Sequence, residues 1–256
     1  MRIKVIQFNM QFGQVWREAD PDHAPLRIDE TIAEIKSHHA DIIMLQEVER
    51  ARPGGTHPPV PPNFSRLTDA LAPFHSTFSF PAPDPRELPF GIGLAIFCRW
   101  PLNDPVCVNL PSPPVEFEFD GEKKTPTDRL LIGATADVDG RPLRLLNTHL
   151  LAFFMLRASS EDNRQQRDIV AQELLRSTGP TLLTGDFNVS KHESLVQQFA
   201  EVGFKTVQSK EVTWRRRPYV LDHIFYNDWL RPTGWEVRPT MASDHHALTA
   251  EFEFAR

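Results

Sequence analysis

Cysteine is scarce in this chain: Cys98 and Cys107 are its only two among 256 residues. Two are too few for a disulfide framework, and these are not spaced as a metal-type pair. A reducing compartment fits, and a cytoplasmic protein is expected. Long apolar runs are also missing; no stretch approaches the roughly 20 residues that span a bilayer, so no transmembrane segment is expected. The start, "MRIKVIQFNM", sets Ile3, Val5 and Phe8 directly after its first charges, with no small-residue cleavage site. It reads as the first strand of the fold rather than a leader. Basic excess is lacking too: 28 Lys and Arg stand against 34 Asp and Glu, a net charge of -6. Strong nonspecific nucleic-acid binding is therefore disfavoured as the main activity, although a local basic patch could still serve it. No tandem repeat is visible, and the 23 prolines are spread through loops instead of forming a disordered tail.

With 40% hydrophobic residues the chain can bury a full core, and one domain over residues 1–256, acting as a monomer, is expected. Leu26, Ile28, Ile32 and Ile35 recur at near-helical spacing and lead into the run Ile42, Ile43, Met44, Leu45. That strand, helix, strand beginning suggests an α/β class. "FGIGLAIFCRWPL" at 90–102 reads as a strand stopped by Pro101. Further strands are predicted near 115–119, 129–138, 142–149, 181–184, 203–207, 220–226, 235–238 and 247–254. Helices are predicted over 64–72, 161–176 and 192–200. Residues 51–63, 81–89 and 111–126 are expected as proline-rich loops around a functional mouth.

"TLLTGDFNVS", residues 181–190, ends an apolar strand in Asp186 and Asn188. A turn would explain that pair alone. The pattern recurs, however: Asn9, Glu47, Asn147 with His149, Asp222 with His223, and Asp244 with His245 all end or interrupt other apolar segments. One such ending is a turn; six suggest a site. Oxygen donors on carboxylates and amides suit a hard cation such as magnesium, which keeps waters and substrate phosphate in its shell. An imidazole held by a carboxylate can take a proton from water or donate to a phosphoryl oxygen. The inventory matches phosphoester hydrolysis.

These residues resemble those of the endonuclease/exonuclease/phosphatase superfamily of magnesium-dependent phosphoesterases. The similar motifs are "QFN" at 7–9, "LQEV" at 45–48, "GIGLAIFCRWPL" at 91–102, "NTHL" at 147–150, "GDFN" at 185–188, "LDHIFY" at 221–226 and "SDHHAL" at 243–248. They follow the family's order nearly from end to end. The resemblance implies a four-layer α/β sandwich of two mainly antiparallel sheets with helices outside. It implies that Glu47 binds Mg2+ or Mn2+, helped by Asn9 and Asp244. It further implies that Asp186 and Asn188 position water and phosphate, that His149 donates to a phosphoryl oxygen, and that Asp222 orients His245. Whether Asp186 or His245 takes the proton from water is left open. Gln11 stands where some members carry an acid.

His223 and His246 read as packing neighbours and Asn147 as support for its strand end. One of Arg215, Arg216 and Arg217 is expected at the site, since adjacent strand residues cannot all face one way. "LLAFFMLR", 150–157, reads as buried core, with an apolar rim for lipid contact as the alternative. Abasic-site members of the family have a tyrosine-rich phosphate site, whereas this chain has only Tyr219 and Tyr226. The expected partner is thus a phosphate-ester substrate for a phosphodiesterase or phosphomonoesterase. A DNA nuclease and a catalytically silent binding module are the alternatives.

Overall fold

The computed structural model describes residues 1–88 and 90–255. Pro89, the last residue of the second expected loop, lies outside the described residues. Two six-stranded sheets form the centre. The first runs Leu230–Arg238, Ala247–Phe254, Ile3–Asn9, Ile42–Gln46, Leu94–Cys98, His75–Ser79. The second runs Phe204–Thr206, Asp222–Asn227, Thr181–Asp186, Arg141–His149, Arg129–Val138, Leu102–Leu110. Each holds one parallel pair at its middle, Ile3–Asn9 with Ile42–Gln46 and Arg141–His149 with Thr181–Asp186, and is otherwise antiparallel. Helices Ile28–Ser37 and Pro62–Ala70 cover the first sheet, Gln165–Leu175 and His192–Glu201 the second. This is the expected four-layer α/β sandwich. Among the described residues no helix is long and apolar enough to cross a membrane.

The period-two alternation of the central strands builds both core and site. In Ile3–Asn9, Ile3 and Val5 face the second sheet while Ile6 and Phe8 pack under the helices. Ile42 and Met44, Leu143 and Leu145, and Leu182 supply the same inner face from neighbouring strands. Continuing each inner row by two residues reaches Gln7 and Asn9, Gln46, Asn147 and His149, and Thr184 and Asp186. The inter-sheet core is therefore apolar at one end and polar at the other.

Several expected bounds move. The helix expected at 64 begins at Pro62, since the N–H that proline lacks would have no helical partner in the first turn. The strand expected across 90–100 breaks at Gly93 (φ 83°) into Gly91–Ile92, which pairs with Glu49–Arg50, and Leu94–Cys98. The strand near 235–238 extends over Leu230–Arg238. The "LLAFFMLR" segment divides: Leu150, Leu151 and Phe153 are buried, Phe154 is half-buried, and Met155 is 61% exposed on a short 3-10 turn.

Candidate active site

Strand register places the second sheet's acids side by side. His149 pairs with Asp186, and Asp186 with Asp222, so all three side chains leave the same face. Across the sandwich, Asn9 pairs with Gln46, and Glu47 follows immediately. The Asn9 Nδ2 group donates to Glu47 Oε1 and Asp186 Oδ2, each at 3.0 Å, joining the two sheets at their polar end. Around them opens a cleft of about 360 Å³ whose lining includes Glu47, Arg129, His149, Asp186, Asn188, Asp244 and His245.

Asp222 is fully buried and divides its oxygens: Oδ1 accepts from Gln7 Nε2 at 2.9 Å, and Oδ2 faces His245 Nδ1 at 2.8 Å. His245 Nε2 then points to Asp186 Oδ2, 3.6 Å away. His149 Nε2 lies 3.5 Å from the same oxygen and 3.9 Å from Glu47 Oε1. Burial drives the His149 pKa well below that of a free imidazole, and the charges of Arg129 and His245 reinforce it. It is neutral at pH 7. Burial also opposes protonation of His245, yet the charges of Asp222 and Asp186 and the Asp222 hydrogen bond prevail and push it up to about 10. Burial raises Asp186 to about 8, and burial with the charge of Asp244 raises Glu47 to about 7.

Those raised carboxylates test the fit to a cation. Glu47, His149 and Asp186 present ligand atoms within 4.8 Å of one another. The two buried acids have a hydrogen bond from Asn9 and the His245 imidazolium 3.6 Å from Asp186, yet both stay raised, so a divalent ion would supply the missing compensation. Asn9 as placed offers its nitrogen to both acids, its Oδ1 accepting from the Gln11 N–H at 3.1 Å. Turning that amide over would aim its oxygen at a cation. Asp244 stands apart from this cluster. Its carboxylate accepts from Arg216 Nε at 2.8 Å and Trp214 Nε1 at 3.2 Å, and its N–H donates to Gln11 Oε1.

Asn188 donates from Nδ2 to the Leu150 carbonyl, and its N–H donates to Asp186 Oδ1. Gln11, Phe12, Glu47 and Asn188 all carry positive φ and all line the cleft. Such backbone strain persists only where the surroundings impose it. Of the three adjacent arginines, Arg216 reaches the cleft, Arg215 is turned to the Thr240 carbonyl, and Arg217 is exposed. Asn147 is structural, donating to the Leu45 and Ala95 carbonyls and accepting from Gln46 and Thr184. His223 packs on the outer side, its Nδ1 facing Thr206 Oγ1.

Sequence reasoning did not single out Gln7, Trp214 or Arg129. Gln7 was visible only as a polar residue inside an apolar strand and as the first letter of "QFN", with no role attached. Arg129 reaches the cleft from the first residue of its strand, and its Nε has no hydrogen-bond partner among the described residues.

A four-layer α/β sandwich with acids, amides and imidazoles gathered at one open end defines a class of hydrolases. The chain belongs to the Endonuclease/Exonuclease/phosphatase family, which it matches over residues 6–245. It is 32% identical over 120 residues to a UPF0294 protein of Yersinia pseudotuberculosis, a match covering 45% of this chain and 44% of that relative's length. An endonuclease/exonuclease/phosphatase structure from Bacteroides vulgatus superposes with a TM-score of 0.73 at 18% identity, covering 100% of both chains. The human Nocturnin catalytic domain with bound sulfate superposes at 0.68 and 22% identity, covering 99% of this chain and 95% of that one. At such identities these structural likenesses are likenesses of fold.

Proposed function

We propose that this chain is a divalent-metal-dependent phosphoesterase that hydrolyses a phosphodiester or phosphomonoester by attack of water. The observation that carries the reading is the buried row Asp222, His245, Asp186 facing Glu47 and Asn9 in one cleft. Glu47, Asp186 and a turned Asn9 amide are the residues that would hold Mg2+ or Mn2+, with Asp244 at the rim. Such an ion, when bound, polarises the phosphoryl group and offsets developing negative charge.

The remaining roles follow from protonation. Asp222 keeps a proton on His245, so His245 meets substrate as an imidazolium and donates from Nε2 to a phosphoryl oxygen. With a cation beside it Asp186 would be held ionised, and it is then the acceptor for the proton of the attacking water. As the water oxygen bonds to phosphorus, the bond to the leaving oxygen breaks, and that oxygen takes a proton from solvent at the open mouth. Neutral His149 donates from Nε2 to a second phosphoryl oxygen. Asn188 fixes the Asp186 carboxylate through its backbone N–H.

The test is hydrolysis of p-nitrophenyl and bis-p-nitrophenyl phosphate, DNA, RNA, sphingomyelin and inositol phosphates with Mg2+ or Mn2+. Turnover of one class, absent in chelator and in Asp186→Asn, is expected. Inert wild-type protein across that set would favour a binding module instead.

A further inference from the structure

Beside the catalytic cleft lies a second cavity of about 180 Å³. Its walls are largely apolar, built by Leu88, Phe117, Phe119, Leu151 and Leu156. It is continuous with the cleft: Phe90, Arg129, Ala152 and Met155 line both. At that junction Met155 is 61% and Phe90 47% exposed, an unusual placement for large apolar side chains at the mouth of a polar site. Arg129 stands there as well, its Nη1 3.5 Å from Glu87 and its Nε unpartnered among the described residues.

Apart from Arg129 Nε at the junction and the exposed Glu118, the polar groups around the side cavity are engaged with one another. Thr127 Oγ1 donates to Glu87, Arg86 Nη1 donates to Thr125 Oγ1 at 2.7 Å, and the Arg86 guanidinium also holds Asp84. A nucleobase or sugar buried there would lose hydrogen bonds to water without regaining them. An apolar group would lose none. An apolar cavity of about 150 Å³ takes a benzene ring, so this one has room for roughly one ring or about six chain carbons.

We infer that the substrate is a phosphate ester with an apolar arm, an alkyl chain or an aryl ring, seated in this side cavity while its phosphate lies among Arg129, His149 and Asp186. The inference rests on the phosphoesterase reading and narrows it to a substrate class.

The experiment is a series of alkyl p-nitrophenyl phosphodiesters from methyl to octyl, with the phenyl and thymidine 5′-esters alongside. In wild-type protein kcat/KM is expected to rise two- to fourfold per methylene, the fold equivalent of burying a CH₂ group, and to level off near hexyl. Relative gains for the hexyl and phenyl esters separate chain from ring. Phe119→Ser and, on the short turn, Leu156→Ser change residues that wall only the side cavity; both flatten that rise and leave the methyl ester's rate unchanged. A flat wild-type series with the methyl ester turned over, or a preference for the thymidine ester, overturns the inference and spares the phosphoesterase reading. If no ester is hydrolysed, that reading fails on its own. Calorimetric titration then decides the cavity: hexyl phosphate binding at least tenfold tighter than methyl phosphate supports it, and equal affinity overturns it.

Discussion

Asp222 uses both oxygens, one for Gln7 and one for His245, and neither can be replaced by an amide nitrogen without setting a donor against a donor. Asp222→Asn should therefore keep the fold and leave His245 a neutral imidazole in place of the imidazolium, lowering kcat about 10²- to 10³-fold with KM little changed. Steady-state kinetics on the preferred ester, with circular dichroism as the folding control, checks this. His223, its neighbour in sequence, faces the other way and predicts a stability effect. Burial, helped by the charge of His192, lowers its pKa to about 4. Below the usual value near 6.5 the unfolded chain takes a proton that the folded chain refuses. Its stability contribution is thus intact above pH 6.5 and is lost as pH falls toward 4, by on the order of 3 kcal/mol over the window. Urea midpoints measured from pH 7 to pH 4.5 should show this fall, and His223→Asn should flatten it. The acids and imidazoles of the cleft were legible in the sequence because each ends an apolar segment. Gln7 and Arg129 were not: Gln7 matters only across the sandwich, where it donates to Asp222, and Arg129 only through the neighbouring strand that carries His149.

Glycines fix how closely the elements carrying those residues approach. A Cβ on Gly185 would sit 2.4 Å from the Thr148 carbonyl oxygen, in the parallel pair that sets His149 against Asp186. A Cβ on Gly91 would lie 2.4 Å from Glu47 Oε2 and 2.5 Å from Glu47 Cβ. Gly185→Ala must push these central strands away from each other, and about 2–4 kcal/mol of stability should go with it, read as a shifted urea midpoint. Gly91→Ala instead displaces a side chain at the cleft. Because Glu47 Cβ must shift as well, it should cost about 1–3 kcal/mol at the urea midpoint and raise the metal concentration needed for half-maximal activity at least tenfold, read by metal titration of turnover. At this scale the central strands were readable from sequence because a strand buried on both faces is a dense apolar run, as in Ile42–Leu45 and Leu182–Leu183. The strands His75–Ser79 and Leu102–Leu110 escaped for the opposite reason. Both lie at sheet edges, where "HSTFS" needs few apolar residues and Pro105 loses no obligatory ladder bond.

Over the whole molecule, acidic charge exceeds basic by 6, and the same sign is concentrated where the sandwich opens. Glu47, Asp186 and Asp222 come from both sheets and meet at the polar end of an otherwise apolar interior, where the single His245 imidazolium offsets part of their charge and a bound cation would supply the rest. An ion bound there contacts residues that come together only in the native state, and its binding energy adds to the stability of the entire sandwich. At 100 times its dissociation constant the gain is about 2.7 kcal/mol, which for a chain of this size corresponds to a melting temperature about 5–10 °C higher. Glu47→Gln separates that contribution from the rest of the fold. The neutral amide relieves the repulsion between Glu47 and the other carboxylates, so the variant without metal should melt at or above the wild-type temperature. The same substitution removes a ligand, and the increase with Mg2+ or Mn2+ should shrink to less than about 2 °C. Differential scanning calorimetry of both proteins, with metal and with chelator, reads all four values. A variant that loses stability without metal and keeps the full increment would place the cation elsewhere in the molecule.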